Sequence, residues 1–512
     1  MAILLSIFFT LSRKVNFSGN VRDKYPRNCA GKFESKDILI FIIGTIIIAL
    51  FIWMIDKFKG RISGIILNEQ KASKKLIIIL LCLIFLCWLP YLLSFAPGSV
   101  QGDSLNSIIQ IFNGKYNNHH PVLYTLFLGI FIKLGTFLGN INIGIFIYSL
   151  VQTGIMLVGI GTVLFWLRNK YVSKIVLFIA AAYFGLISIF PSYALVLWKD
   201  PIFSVGVLLL SIRLFDTFSE KNIKRDIKNI ILIDMLCFLI IFFRNNGLYI
   251  IIACMICLAV AFKKNGMRIW MSILGVVVFS LIIQGPLYDG MKIEKPKAEA
   301  FGIPIQQIAA VVVEKDGLNL SNEQKKVINQ LIPIEKIEES YAPARVDDIK
   351  FNSKFNNQYL ADSQKDILKV WFGLLPSNLG IYVRSYISAT FGFWHPYAQN
   401  EYGYTSYTLI ENDYGIHEID LFQRIFNVSI KKNLEKDIFH IGSGTLIWIM
   451  LISMALCLKK ENYKGHMGFL PPLLCWAIIL CATPVAFSLR YVYVLALELP
   501  VFMVLPFLKN RY

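Results

Sequence analysis

Residues 75–95 read KLIIILLCLIFLCWLPYLLSF, and after the opening lysine no position carries a charge. A bilayer core takes roughly 20 apolar residues per helix, so this stretch is expected to cross a membrane. Blocks of the same character stand at 37–56, 141–167, 175–197 and 467–487. Shorter ones at 201–217, 229–243, 247–262, 269–285, 441–458 and 490–508 are each bounded by charged or Gly/Pro-rich turns. With the apolar start Ile3–Leu11, they predict an all-α polytopic membrane protein of about 11–12 transmembrane helices. Composition agrees: 56% of residues are hydrophobic and mean hydropathy is +0.59, more than a soluble domain can bury.

Orientation follows from Lys and Arg, which short cytoplasmic loops retain. Clusters stand at Lys57, Lys59, Arg61, Lys71 and Lys74, at Arg168, Lys170 and Lys174, and at Lys221, Lys224, Arg225 and Lys228. Others are Lys263, Lys264 and Arg268, then Lys459, Lys460 and Lys464, then Lys509 and Arg511. Placed inside, they make the C-terminus cytoplasmic and put the long 286–440 segment outside. The net charge of +18 is then a topological signal and gives no reason to expect nucleic acid. Between Lys74 and Arg168 lie three apolar blocks, and parity lets only two cross. The 121–138 block, with Pro121, Gly129, Lys133 and Gly135, is the one expected to stay at the outer interface. The same parity puts residues 13–36 outside despite their basic residues. The expected organisation is a transmembrane region 1–285 with a first outer loop 96–140 carrying interfacial helices. A mainly helical extracytoplasmic domain 286–440 follows, with an interfacial segment 371–397, and then C-terminal transmembrane helices 441–512.

Of nine cysteines, eight fall in spans and only Cys29 is expected to be exposed, so no pair staples the outer domain. The Cys254–Cys257 spacing is that of a redox or zinc motif, but within an apolar run small packing residues explain it better.

Ionisable groups are costly in hydrocarbon, so those held at span ends are functional candidates. GSVQGDSLNSIIQ, residues 98–110, brings Asp103 after a Gly-rich approach. A carboxylate there suits a general base taking a proton from an acceptor hydroxyl, and equally a cap on the following helix. NHHPVLYTLF, residues 118–127, sets His119 and His120 before a Pro-initiated helix with Tyr124 one turn in; such a start can bind an anion. LWKDP (197–201), FFRNNGLY (242–249) and SLRYVYV (488–494) supply Lys199, Arg244 with Asn245, and Arg490 at three outward turns. Together the three cations suit a lipid-linked phosphate. Singly each reads as an interfacial anchor, and Asp200 and Glu498 are available to pair with two of them. The aromatic run ending FGFWHPY contributes His395, as membrane anchor or sugar platform. GIPIQQIAAVV (302–312) and SYAPARVDDIK (340–350) show no chemistry by spacing.

With Asp103 in the first outer loop, His120, Pro121, Leu123 and Tyr124 forming H-P-x-L-Y, and Arg490–Tyr491 near the last span, the chain resembles the GT-C class of membrane glycosyltransferases. That group includes the protein O-mannosyltransferases and lipid A aminoarabinose transferases. The run QGDS, NHHP, KDP, RNNG and IPIQQIA also resembles a family of Gram-positive bacterial membrane proteins that brings no activity with it. The first resemblance implies a multi-pass protein of the bacterial plasma membrane that takes a sugar from a polyprenyl-phosphate donor to a cell-envelope glycan or other outer acceptor, with inversion. Carried over, Asp103 is the base and Lys199, Arg244 and Arg490 hold the donor phosphate. His119, His120, Tyr124, Asn245 and His395 are substrate-binding candidates. Ser104 and Leu105 follow Asp103 where a D-x-D would stand, so a divalent metal has no motif to support it. The alternatives are a transporter or flippase for lipid-linked sugars, and a surface polysaccharide polymerase or ligase.

Overall fold

The computed structural model describes every residue except 18, 25–26, 220–225, 295–297, 316, 318–319, 399–401, 437–438, 458–462, 483–484 and 509–512. Lys221, Lys224, Arg225, Lys459, Lys460, Lys509 and Arg511 therefore lie outside the described residues. The described chain is helical, with isolated bridges and no strand. Its first twelve α-helices are α1 (Ala2–Ser12), α2 (Ser35–Ile66), α3 (Lys74–Ser94), α4 (Gly102–Asn113), α5 (Val122–Phe137) and α6 (Ile141–Asn169), then α7 (Lys174–Leu186), α8 (Ile189–Leu195), α9 (Asp200–Ser219), α10 (Ile227–Phe243), α11 (Gly247–Phe262) and α12 (Met267–Ile282).

Among the described residues five stretches are long and apolar enough to cross a membrane: α2, α3, α6, α9 and the run Gly247–Gly290. The pair α7 and α8, bent by 53°, makes a sixth. The Gly247–Gly290 run is not one rod, because Lys263 at φ 42° turns the chain and α11 packs beside α12. The sequence led to about 11–12 crossings; the other apolar blocks form shorter helices, including Ser443–Cys457, His466–Cys481 and Val494–Phe507. The 467–487 block shows why. Its helix stops at Cys481, and beyond the turn Ala486 N donates to Ala344 O (2.7 Å) and Gly392 N to Ala486 O (3.1 Å). These residues form a wall instead of completing a span.

The basic stretch 57–66, expected as a loop, is instead the last three turns of α2. Two glycines there cost the helix about 1 kcal/mol each. Contacts with the C-terminal helices offset this: Lys59 Nζ donates to Leu456 O (3.1 Å) and Ser63 Oγ to Phe507 O (2.7 Å). At the same end Leu67 bridges Val172, and Arg168 Nε donates to Ala72 O (2.7 Å). The described clusters at 57–74 and 168–174 thus share one end of the bundle.

The opposite end carries a second core, built by residues such as Ile305, Val312, Ile328, Tyr341, Ile349 and Tyr382. The segment 286–440 does not form one core, however: Phe391, Phe393, Trp394, Tyr404 and Ile416 join the main bundle core. The interfacial segment 371–397 divides likewise, its helix Gln364–Thr390 being broken at Asn378 (φ −135°) just after Pro376. The described residues of 13–34 strap onto this end, with Arg27 Nη1 donating to Val313 O (2.5 Å) and Cys29 N to Ser388 Oγ (3.1 Å). Cys29 is therefore buried, not exposed as expected, because the strap seats it against Ser388.

The 96–140 segment is held by close packing. Helix α5, 16 residues long, runs beside the first half of α6, where Phe131 meets Tyr148 at 5.5 Å between centroids. A Cβ on Gly144 would fall 2.1 Å from Phe131 O, so the two backbones approach as only glycine allows.

Candidate functional site

Between α8 and α9 the chain runs extended, and non-helical backbone inside an apolar bundle must find its hydrogen bonds within the protein. Gln152, fully buried on α6, provides several: its Nε2 donates to the carbonyls of Tyr193 (2.9 Å), Ala194 (3.2 Å) and Val196 (2.6 Å). The other edge pairs with the segment that follows α3, Ser99 N donating to Leu195 O (3.1 Å) and Leu197 N to Ser99 O (3.0 Å). Gly98 makes this possible, since at φ +140° a Cβ would fall 2.4 Å from Ser149 Oγ. Ser104 Oγ (2.5 Å) and Tyr124 OH (2.6 Å) both donate to Leu197 O. One carbonyl thus ties α4 and α5 to the start of α9.

The result is a cluster drawn from five separated segments. Arg490, on the 3-10 turn Leu489–Val492, donates through Nη2 to Asp103 Oδ2 and through Nε to Asp200 Oδ2 at 2.6 Å. Its guanidinium lies 4.3 Å over the Trp198 ring. Arg244 Nη1 stands 3.4 Å from Asp200 Oδ1 and donates to Tyr491 O at 3.0 Å. Lys199 Nζ is 2.7 Å from His120 Nδ1. That bond makes Nδ1 the acceptor and leaves the ring proton on Nε2, which lies 3.9 Å from Asp103 Oδ1. Asp103, His120, Lys199, Arg244 and Arg490 are thereby gathered at one place.

The two carboxylates differ in access. The Asp200 side chain is 0% exposed, whereas Asp103 is 39% exposed, so only Asp103 offers oxygen to an incoming molecule. Asp103 lies in the first turn of α4, whose N-cap is Gln101, so it does not act as the cap. Glu498 joins no cation among the described residues: its Oε2 accepts from Ser211 Oγ at 2.9 Å, well down the Val494–Val504 helix. Pairing falls to Asp103 and Asp200, and three cations against two carboxylates leave a formal charge of +1. Three helix N-termini add to it, those of α4, α5 and α9, and neither α4 nor α5 has a side-chain cap bond on its first N–H groups. Helix N-termini carry partial positive charge and free N–H donors.

Burial pushes the Asp103 carboxyl up, but Arg490 and then Lys199 pull it down further, leaving it well below the ordinary carboxylate range. Burial also lowers Lys199, against the raising effect of Asp103 and Asp200. His120 is pushed down to about 2 by burial and then by the Lys199 charge, so it is neutral. Between that value and the ordinary imidazole pKa of about 6.5, only the unfolded chain binds the proton. Stability from His120 is therefore complete above about pH 6.5 and falls as pH drops below it. The wild-type melting temperature is expected to fall more steeply from about pH 6.5 to 5 than that of His120→Gln; parallel curves would contradict a buried neutral imidazole.

Other sequence candidates are placed around this centre. The His119 ring meets His120 at 4.6 Å and Phe351 at 6.4 Å between centroids. Asn245 is a brace, its Nδ2 donating to Asn118 O (2.7 Å) and His119 O (3.2 Å). The structure does not bring His395 to the cluster: its Nδ1 accepts from Tyr397 N at 3.0 Å and its carbonyl abuts Gly444. Sequence reasoning did not single out Arg345 or Thr408. Arg345, nine-tenths buried, lies 5.1 Å over Tyr402 and bridges Val485, while Gln101 Nε2 donates to Thr408 O at 2.8 Å. Within SYAPARVDDIK, Arg345 also stands 3.4 Å from Asp348 Oδ1, while nothing in that pattern points to Tyr402 or Val485. Among the described residues no group of three or more His, Cys, Asp or Glu side chains is arranged to hold a metal ion.

Residues 112–512 match the model of a family described as a family of unknown function (DUF6020). No curated protein and no solved structure matches the chain.

Proposed function

The chain belongs to the DUF6020 family, and because that description assigns no activity we propose, from the geometry, that it transfers a sugar from a polyprenyl-phosphate donor to a cell-envelope glycan or other outer acceptor, as a GT-C-type enzyme. The observation that carries the reading is one accessible carboxylate, Asp103, held among Arg490, Lys199 and Arg244 where three helix N-termini meet. A phosphate ester suits such a place, since charge-assisted bonds to it are strong in a dry setting.

A groove of about 500 Å³ beside α5, lined by Ile111, Tyr116, Leu126, Ile130 and Phe243 among others, gives an apolar chain a bed next to the cluster. Phe243 directly precedes Arg244 and its ring lies 6.2 Å from Tyr124. In the step proposed, the acceptor hydroxyl oxygen attacks the anomeric carbon and its proton passes to Asp103. The bond from that carbon to the phosphate oxygen breaks, and the electron pair leaves with the phosphate, held by the cations. A single displacement of this kind inverts the anomeric centre.

The test is the cell-envelope glycan of a strain lacking the gene. A sugar lost there and restored by the wild-type protein supports transfer, and an unchanged glycan counts against it. One observation favours a second reading, transport of a lipid-linked sugar: the 53° break between α7 and α8 is of the kind found at transporter sites. Purified protein that moves a labelled donor across a vesicle membrane without forming product would select that reading.

A further inference from the structure

Helices α6 and α10 both pack on α9 without closing against each other, and the gap is a membrane-facing groove of about 680 Å³. Its bed is apolar, with Leu81, Leu157, Leu209, Leu232 and Leu236 in the lining. Along α6 it extends from Leu157 to Asn169, about 18 Å at 1.5 Å per residue, close to one leaflet of a roughly 30 Å hydrocarbon core. It lies far from the Asp103 cluster, toward the end where the described basic clusters gather.

One residue in it is out of keeping with the rest. Arg213 interrupts the apolar face of α9 and lines the groove. Its Nε is buried without a hydrogen-bond partner, and the side chain enters no ion pair among the described residues. Its neighbour Asp216 is already engaged, accepting from Trp166 Nε1 at 3.1 Å and pairing with Lys170 Nζ at 3.2 Å. Two cations against one carboxylate leave this end of the groove positive. Trp166 and Lys170, stacked at 5.4 Å, are the residue types that mark the level of lipid headgroups. A guanidinium kept at this depth without a partner is a functional feature by default.

We propose that this groove is a binding site for an anionic phospholipid of the leaflet at the basic end, with an acyl chain along α6 and the headgroup phosphate on Arg213. The site is separate from the transfer centre and does not depend on it. It commits the groove to a lipid carrying both a chain and a negative charge, because the bed and the cation are parts of one cleft.

The experiment titrates the purified full-length protein in detergent micelles with dioleoyl phosphatidylglycerol or dioleoyl phosphatidylcholine and counts bound lipid by native mass spectrometry. Wild type is expected to prefer the anionic lipid by about tenfold, Arg213→Gln to lose that preference and Arg213→Lys to keep most of it. Leu232→Trp, which fills the bed and leaves Arg213 in place, is expected to weaken binding of both lipids and so decides the matter even where Arg213→Gln does not fold. Equal binding of the two lipids by wild type would overturn the proposal, as would unchanged anionic-lipid binding by Leu232→Trp. Displacement of the bound lipid by inorganic phosphate alone would also overturn it, by showing a bare anion site.

Discussion

Asp103→Asn is expected to reach the membrane in wild-type amounts and to lower sugar transfer at least about a hundredfold, the usual worth of a general base. The separation of the two effects comes from position. The Asp103 side chain is 39% exposed in the first turn of α4, and the substituted amide oxygen still accepts from Arg490. Folding therefore loses little, while the proton acceptor is gone. The depressed carboxyl pKa has a further implication: Asp103 paired to Arg490 is ionised but a weak base, and a donor phosphate that competes for Arg490 strengthens it. Sugar transfer should thus depend on the donor binding before proton removal. The measurement is the envelope glycan of a deletion strain complemented with either form at matched membrane levels. Full restoration by Asp103→Asn would remove Asp103 from the chemistry.

Asp200→Ala is expected to fail in the opposite way, by loss of the folded protein. Asp200 is fully buried between Arg490 Nε at 2.6 Å and Arg244 Nη1 at 3.4 Å. Removing the carboxylate leaves Arg244 with no carboxylate among the described residues and Arg490 with Asp103 alone, and breaking a buried ion pair costs about 3–5 kcal/mol. Thermal unfolding of the purified protein should show a large drop in melting temperature, and cells should hold less of it. Adding Arg244→Leu to the Asp200 variant should recover part of the loss, because it removes the charge left without a carboxylate. A wild-type melting curve for Asp200→Ala would mean that the cluster is held by its backbone bonds alone.

Much of this was legible in the residues, and for definite reasons. Apolar blocks declare helices because hydrocarbon leaves the backbone no other partner, and every long block does contain one. Lys199, Arg244 and Arg490 stood out because they sit at turns away from the basic loops, and the structure brings all three to the cluster that holds Asp103 and Asp200. Helix ends were harder to read. Nothing in DKFKGRISGII tells a loop from the last turns of α2, since contacts with Leu456 and Phe507 decide it. The 467–487 block likewise loses its last turns to Ala344 and Gly392, partners far away in sequence. His395 was grouped by its aromatic neighbours, yet it packs on the start of the Ser443–Cys457 helix. Arg345 has one neighbour its own segment could suggest, Asp348 three residues on at 3.4 Å, but Tyr402 and Val485 come from two other segments.

The position of Arg490 also sets a timetable for biogenesis. A chain leaves the ribosome N-terminus first, at about 5–20 residues per second. By the time residue 480 is made, Asp103, His120, Lys199, Asp200 and Arg244 have all been delivered, and the residue that joins the two carboxylates has not. The start of α4 and the start of α9 must wait, for some twenty seconds to over a minute after Asp103 is synthesised, with a net charge lower by one than in the finished protein. A nascent chain that stalls short of residue 490 holds two carboxylates with no guanidinium between them, so the contact that joins Asp103 to Asp200 is among the last to form.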